Sequence, residues 1–330
     1  MLWLGVHYPQ WALQYFYYRN ELAANTAVLL FEPNSLQVLA FDQQSQQAGV
    51  VAGMSLSTAQ SLIPVAMLVE FDLSMRQQAS DWLCQWSYEF SARVVPLRCS
   101  LSERADKTAV KSKLDVDEFV TDTLLLEISS LELIFESTDK LIEQYRQRAQ
   151  ALGLTVYLAV AKTPLAAQLL AKHHATAAIN SLSAHASSKV DDYLELENSP
   201  LLLNKLPVAL LPLSDFLLQS LQGFGISSFA SLQALPDKEL GRRFGTNLLQ
   251  LMAKILGKLP QPLRYFEPED SYQQKLTLLH EVESMQGIIF PLGRMLKEMA
   301  SYLQQRQLAV QQLKLSLVYR SSDLSQLDII

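Results

Sequence analysis

The sequence predicts an α+β fold built from several compact units, and three patterns in its 330 residues indicate this. Short apolar runs typical of strands alternate with amphipathic helical patterns as far as residue 174. A leucine-rich stretch at 200–257 carries helical patterns alone, and the tail beyond residue 274 follows a strand, helix, strand order. Chains of this length usually fold around more than one hydrophobic core, so we expect two to four units.

The first 70 residues predict a buried strand followed by a small mixed unit. The opening "LWLGV" is typical of a buried strand, and a helix is expected after Pro9, because proline is tolerated in a first helical turn. The strand patterns "AVLLFE" and "QVLAFD" are separated by the turn signal "PNS", which predicts a hairpin. We expect Ser57 to cap a helix that ends at Pro64.

Residues 72–174 predict a sheet with helices packed against it. A long amphipathic helix is expected over 72–91, a strand in "TLLLE", a helix at 138–152, a strand in "LTVYLAVA" and a helix over 164–174. The all-helical stretch at 200–257 follows. Three prolines within 260–268 then indicate an extended tether, which we place at 259–271.

Composition limits the classes of protein that this chain can represent. It is 49% hydrophobic and 18% charged, and no run approaches the ~18 uncharged apolar residues that span a bilayer. Its two cysteines exclude a disulfide framework and a cysteine zinc site. The start of the chain lacks the basic region of a signal peptide. We therefore expect a cytoplasmic protein with no membrane partner.

The net charge of −6 is unevenly distributed. Residues 1–165 carry a net charge of −6, whereas residues 166–330 are neutral overall. Within the second half, residues 236–265 hold six basic and two acidic side chains, a local net charge of +4. Such a segment could bind phosphate groups, although a solvated helix face is the commoner explanation.

Four motifs in order resemble the Y-family, or translesion, DNA polymerases, and within them the ImuB branch. "QSQQAGVVAGMSLSTAQSLIP" is similar to the family's fingers motif, and "LAVAKTPLAAQLLAKH" to a stretch of its palm. "LQGFGISSFASLQALPDKELGRRFG" resembles its thumb, and "LTLLHEVES" with "PLGRMLKEMASYLQQRQLA" resembles the start of its little finger. The resemblance implies a right-handed polymerase architecture of palm, fingers, helical thumb and little finger.

The resemblance also implies domain boundaries. The palm would comprise 1–10 and 71–165, the fingers 11–70, the thumb 166–258, the linker 259–271 and the little finger 272–330. The family's little finger has four strands and two helices, and the residues after 272 provide about half of these. We therefore expect a partial, truncated little finger.

Active members of the family hold two Mg²⁺ ions with carboxylates at the end of the first palm strand and on a palm hairpin. In this sequence His7 and Pro9 occupy the first pair of positions, and Asp122 and Thr123 occupy the second. Glu127 matches an acid further along the chain. The resemblance therefore implies a degenerate site with no catalytic residues, no bound metal and no cofactor.

The positions that bind triphosphate in the family have also lost their charge, since Gln46 stands for an arginine and Pro164 for a lysine. A second register remains open, in which "DVDEFVTD" makes Asp117 and Glu118 the metal ligands and Mg²⁺ the cofactor. We favour the first register, because the apolar strand and "SSLELIF" then fall in their family positions. Even in the second, His7 brings no negative charge to a hard cation.

The thumb resemblance assigns DNA-binding roles to a glycine-rich loop and a basic segment. Gly223 and Gly225 in "LQGFGI" would offer backbone N–H groups to a phosphate, or form an ordinary interhelical turn. Arg242 and Arg243, near a predicted helix start, would pair with phosphate, or with Glu239 and solvent. The remaining basic candidates are Lys254, Lys258 and Arg264.

These inferences predict a non-catalytic DNA-binding scaffold in SOS-induced, error-prone translesion synthesis and DNA repair. The resemblance implies four partners, namely primer–template DNA, ImuA, an error-prone C-family DNA polymerase and the sliding clamp. The alternatives are an active translesion polymerase and a protein-interaction module without DNA binding. Residues 326–330, "QLDII", resemble a clamp-binding peptide, but we favour a third little-finger strand.

Overall fold

A computed structural model describes residues 1–20, 26–97, 122–129, 131–184 and 193–268, and further along 271–276, 278, 282, 284–306, 308–317 and 327–329. Asp117 and Glu118, the ligands of the second register, lie outside the described residues, as do Gln326 and Ile330. The chain divides into two compact units, Met1–Glu267 and Pro268–Ile330, and each is described by itself.

Strands and helices alternate through the first unit, which confirms the α+β class. Its strands are β1 (Trp3–His7), β2 (Val28–Glu32), β3 (Gln37–Phe41), β4 (Met67–Glu70), β5 (Val94–Val95), β6 (Thr123–Glu127) and β7 (Tyr157–Ala161). Its helices as far as the last of these strands are α1 (Trp11–Asn20), α2 (Gln43–Gln47), α3 (Leu56–Leu62), α4 (Leu73–Ser87), α5 (Glu132–Phe135) and α6 (Thr138–Ala151). Beyond it lie α7 (Pro164–Ala184), α8 (Ser199–Lys205), α9 (Asp215–Gly223), α10 (Phe229–Gln233), α11 (Asp237–Phe244) and α12 (Thr246–Ile255).

A four-stranded antiparallel sheet in the order β5-β6-β1-β7 organises the first unit. Every residue of β1 is buried, as the opening apolar run predicts. One hydrophobic core joins the sheet to side chains of α1, α4 and α6. A second core joins it to α7 and the later helices. The strand β1 therefore lies between two cores and contributes to both.

The closest packing in this arrangement is between the middle of β1 and helix α7. Gly5 lies so near this helix that a Cβ atom at its position would be 2.3 Å from the Ala167 carbonyl oxygen. Small side chains on the helix allow this approach, because Ala166, Ala167 and Ala171 are all buried there. The contact fixes α7 against the central strand.

A smaller sheet in the order β3-β2-β4 follows the opening strand and helix. The antiparallel pairing of β2 with β3 confirms the predicted hairpin. The predicted cap at Ser57 is wrong, because the side chain of Ser55 accepts the N–H of Thr58 and its backbone is extended (φ −63°, ψ 142°). An N-cap residue needs that extended backbone, whereas Ser57 already lies inside the helix.

Between residues 199 and 255, all of them described, the regular structure consists of α-helices and a short 3₁₀ turn. This confirms the predicted helical stretch. The boundary predicted at residue 166 needs correction, because it falls inside α7 (Pro164–Ala184). The first half of this helix packs on the sheet instead of standing apart from it, as the contact between Gly5 and Ala167 shows. The helix also extends ten residues beyond its predicted end at 174.

The segment 260–267 forms neither helix nor strand, but it is not a free tether. Its Leu263 packs against the second core, and Phe266 packs against the first. The backbone N–H of Phe266 donates to the Val94 carbonyl of β5 at 2.7 Å. The apolar residues between the prolines therefore attach the segment to the sheet.

The second unit contains α13 (Met285–Gln305), β8 (Leu315–Leu317) and β9 (Leu327–Ile329). The strands β8 and β9 are antiparallel, so residues 327–329 form a strand, which is the alternative that we favoured for them. The strand predicted at 274–284 is not formed by the described residues of that range. Among all the described residues, none of the helices combines the length and apolar character needed to cross a bilayer.

We predict that Gly5→Ala destabilises the protein by about 3 kcal/mol or more, because the new methyl group would overlap backbone atoms of α7 that cannot rotate away. Chemical denaturation monitored by circular dichroism measures the free energy of unfolding. Gly223→Ala is the matched control, since its Cβ would enter open space, and we expect a change below about 1 kcal/mol. Equal losses in the two variants would contradict the packing argument.

Candidate functional site

The end of β1 and the start of β6 bring together three of the predicted metal-site positions. His7 is the last residue of β1 and pairs with Thr123 of β6. Its Nδ1 atom lies 3.1 Å from the Thr123 hydroxyl oxygen. Asp122 precedes this strand, and its carbonyl accepts the Tyr8 N–H at 2.8 Å. Pro9, just beyond the strand, accepts a hydrogen bond from the Gln14 side chain at its carbonyl. We call His7, Asp122 and Thr123 the strand tip.

His7 is a neutral group at this tip. Burial and, to a smaller extent, the nearby positive charge of Lys172 together lower its pKa to about 4. A histidine with that pKa carries no charge near pH 7. It contributes a hydrogen bond to Thr123 and no attraction for a hard cation.

Asp122 is the carboxylate of the strand tip, and a protein cation already influences it. Burial raises its pKa, while the charge of Lys172 and a hydrogen bond from the Trp11 indole act in the opposite direction. Lys172 lies on α7, five residues after Ala167, which is about 7.5 Å along the helix. The distance from Gly5 to His7 along β1 is nearly the same, about 7 Å. Because Gly5 contacts Ala167, Lys172 therefore lies near the strand tip.

Glu127 is not part of the strand tip. It lies at the opposite end of β6, where it pairs with Trp3, about 13 Å along the strand from Thr123. Its carboxylate instead forms an ion pair with Arg93, with a 3.0 Å distance between Arg93 Nη1 and Glu127 Oε2. The structure therefore keeps the downstream acid and Asp122 apart.

The strand tip does not fit two Mg²⁺ ions. Such a site needs several carboxylates around a charge of +4, and the tip offers Asp122 beside a neutral imidazole and the Lys172 ammonium. Across the part of the chain that the structure describes, no group of three or more histidine, cysteine, aspartate or glutamate side chains could hold a metal ion.

The two positions predicted to have lost triphosphate-binding charges lie on different elements. Gln46 is exposed on α2, a five-residue helix capped by Asp42. Pro164 is the first residue of α7, where its missing N–H costs no helical hydrogen bond. Its ring thus has a structural role at the start of the helix. Neither side chain offers a cation to a phosphate.

The loop after α9 contains one exposed aromatic ring, Phe224, which precedes Gly225 and lies under the Arg243 guanidinium of α11. Gly225 has φ +75°, and its N–H donates to the Gln222 carbonyl at 2.9 Å, which ends the helix. The guanidinium of Arg243 lies 5.5 Å from the centre of the Phe224 ring, which is 61% exposed. The glycine at 225 is needed for this turn whether or not it meets a phosphate, while Gly223 ends α9.

Arg242 and Arg243 occupy the last turn of α11, and α12 begins at Thr246, so they also lie near a helix start, as predicted. A cation is favourable there, because the carbonyl groups at a helix C-terminus carry partial negative charge. Arg243 also approaches Glu239, with 3.7 Å between Arg243 Nε and Glu239 Oε2, and both side chains are about half exposed. The pairing is solvated, so Arg243 remains accessible to a phosphate.

The other basic candidates lie away from this pair. Lys254 and Lys258 are at the C-terminal end of α12, about 15 Å from its start next to α11. That end contacts the loop before α7, where the Thr163 hydroxyl donates to the Ile255 carbonyl at 2.9 Å. The exposed Lys162 adjoins this loop, and sequence reasoning missed it. Arg264 is exposed in the segment 260–267.

Comparisons with known proteins agree with this geometry. Residues 14–172 match the model of the impB/mucB/samB family. A curated relative, the protein ImuB of Caulobacter vibrioides, is 21% identical over 240 residues. The match covers 73% of this chain and 44% of the relative, so this chain spans less than half of the relative's length.

Solved structures of Y-family polymerases share the fold. The DinB protein of Sulfolobus solfataricus has a TM-score of 0.54 and 17% identity, and the match covers 80% of this chain and 70% of that one. A post-insertion binary complex of Dbh DNA polymerase has a TM-score of 0.56 and 16% identity, covering 100% and 86% of the two chains. These similarities confirm the predicted architecture.

We predict that His7 makes stability fall in acid. Its folded-state pKa of about 4 lies below the unfolded value of 6.5, so the unfolded chain binds the proton first. The stabilisation is complete above pH 6.5 and is lost as the pH falls toward 4, by up to about 3 kcal/mol. Urea denaturation across this range, for the wild type and for His7→Gln, measures the difference. Parallel pH profiles for the two proteins would contradict the assignment of a neutral buried His7.

Proposed function

We propose, from the premise that this chain is a homologue of the Y-family DNA polymerases, that it binds primer–template DNA without extending it and acts as a scaffold in error-prone translesion synthesis. The observation that carries this proposal is the composition of the strand tip. His7 is neutral, and Asp122 lies within reach of the Lys172 charge. Nucleotidyl transfer needs carboxylates that hold two metal ions, and this tip supplies one.

DNA binding is supported by the basic side chains of the helical segment. Arg242, Arg243, Lys254 and Lys258 lie on or next to α11 and α12, and the two arginines are exposed. Similar solved structures include an insertion ternary complex and a post-insertion binary complex of Dbh DNA polymerase. Contacts with phosphates carry affinity without reading sequence, so the binding is general for primed DNA.

Likeness to ImuB supports the finer part of the proposal. A non-catalytic homologue contributes to synthesis only through partners, so ImuA, an error-prone C-family DNA polymerase and the sliding clamp complete the proposal. The SOS-induced damage response is the setting in which such an assembly acts.

Active polymerisation is the second candidate, and the pattern "DVDEFVTD" is the observation that favours it. In that case Asp117 and Glu118 would bind Mg²⁺. The pattern supplies only the second pair of metal-binding acids, because His7 and Pro9 still occupy the two positions of the first pair. This candidate predicts extension of a primer that disappears in Asp117→Ala.

Primer extension beside a DNA-binding titration tests the proposal. We expect no extension with Mg²⁺ and all four dNTPs, because the strand tip cannot hold the metal pair, and we expect binding of primed DNA that weakens as salt rises. Extension that is lost in Asp122→Ala would contradict the non-catalytic assignment. Absence of salt-sensitive binding would contradict the DNA-binding part and favour a protein-interaction module.

We predict that replacing Arg242 and Arg243 together by alanine weakens binding of primed DNA and lowers the slope of log affinity against log salt by up to about 2, since two phosphate contacts are removed. Fluorescence anisotropy at several salt concentrations measures both quantities. Lys140→Ala with Arg146→Ala removes two basic side chains from α6 and is the matched control. Equal effects of the two double variants would show that net charge, and not the α11 site, governs binding.

A further inference from the structure

We propose that Phe224 and Arg243 form a platform on which an unpaired DNA base stacks, an inference that rests on the proposed DNA binding and adds the part of the DNA that this surface recognises. Phe224 is 61% exposed although its side chain is entirely apolar. Single exposed apolar side chains are common on protein surfaces, so the feature that distinguishes this ring is the arginine that lies over it.

The backbone that carries the ring is held in place by the way α9 ends. The N–H of Ile226 donates to the Leu221 carbonyl at 3.0 Å, and the N–H of Gly225 donates to the Gln222 carbonyl at 2.9 Å. This pair of hydrogen bonds is a Schellman motif, with Gly225 in the left-handed region and Ile226 buried. Phe224 is the C-cap residue of α9 and directly precedes this fixed turn. Little backbone entropy is therefore lost when a ligand contacts it.

The surroundings of the ring are cationic and aromatic. The Arg243 guanidinium lies 5.5 Å from the ring centre, and the Phe244 ring meets it at 5.8 Å and 81°, an edge-to-face arrangement. An aromatic ring with an arginine beside it offers a flat apolar face to a base and a charge to the phosphate next to that base. One nucleotide can satisfy both groups at once.

Charge complementarity favours nucleic acid over a protein as the occupant. The whole chain carries −6, whereas residues 236–265, which include Arg243, carry +4. A polyanion with flat apolar faces matches an exposed ring within a basic segment. The base must be unpaired, because bases inside a duplex are already covered on both faces by their neighbours. The single-stranded template beside a primer end supplies such bases.

Phe216 offers a matched control on the same helix. It is 80% exposed, more than Phe224, and lies eight residues earlier, about 12 Å along α9. Among the cation–aromatic contacts of the described residues, an arginine lies over Phe224 and none lies over Phe216. Phe216→Ala therefore removes an exposed phenylalanine and leaves the platform intact, whereas Phe224→Ala removes the platform ring.

The test compares the binding of two probes of equal length and charge, a short oligothymidylate and the same backbone built from abasic sites. We expect Phe224→Ala to weaken binding of the oligothymidylate about tenfold and to leave binding of the abasic strand unchanged. Phe224→Tyr keeps the ring and should restore binding to within about twofold. Phe216→Ala should affect neither probe.

Three results would overturn the platform. These are an unchanged oligothymidylate affinity in Phe224→Ala, an equal loss for the abasic strand, and an equal loss in Phe216→Ala. Circular dichroism of each variant checks that the fold is retained. We expect it to be, because both phenylalanines are exposed. If the wild type bound neither these probes nor primed duplex, the proposed DNA binding itself would fail. Failure of the platform alone looks different: primed DNA still binds the wild type, while Phe224→Ala binds the oligothymidylate as tightly as the wild type does.

Discussion

The close packing of β1 against α7 is the contact on which the rest of the first unit depends. Gly5 lets the Ala167 carbonyl lie where any other residue would place its Cβ atom. The helix thereby covers one face of the central strand, and its side chains join the core that also contains the later helices. The same contact sets how far Lys172 reaches along the strand, so it determines the electrostatics of the strand tip as well as the packing.

The strand tip carries few charges. A polymerase at this position concentrates negative charge and relies on metal ions to balance it. Here the buried groups are a neutral histidine, a threonine hydroxyl and one carboxylate near a lysine and an indole N–H. Such a tip has no concentration of negative charge that a bound ion would have to balance. The chain can therefore retain the fold of a polymerase while the DNA contacts that we propose lie on the helical segment.

Local patterns predicted the parts of this structure that depend on local sequence. The buried β1, the β2–β3 hairpin and the helical stretch were all evident from periodicity and turn residues. The cap at Ser55 was missed although it is local, because Ser57 offers the same side chain and only the backbone dihedrals separate the two. The end of α7 was also misplaced. The anchoring of Phe266 was missed because it depends on a contact with Val94, a distant residue. Lys172 and Phe224 were missed for the same reason: a lysine in a helix and a phenylalanine between two glycines carry no signal until the fold supplies their neighbours.

The central claim is that the strand tip no longer binds divalent metal ions. The most direct measurement is a titration with paramagnetic Mn²⁺ in the presence of a dNTP, followed through the NMR signals of the His7 ring. We expect these signals to stay sharp when Mn²⁺ is in excess over the protein, because a neutral imidazole and one partly compensated carboxylate do not hold the ion. Selective broadening of the His7 signals at low Mn²⁺ would place an ion at the tip and contradict it.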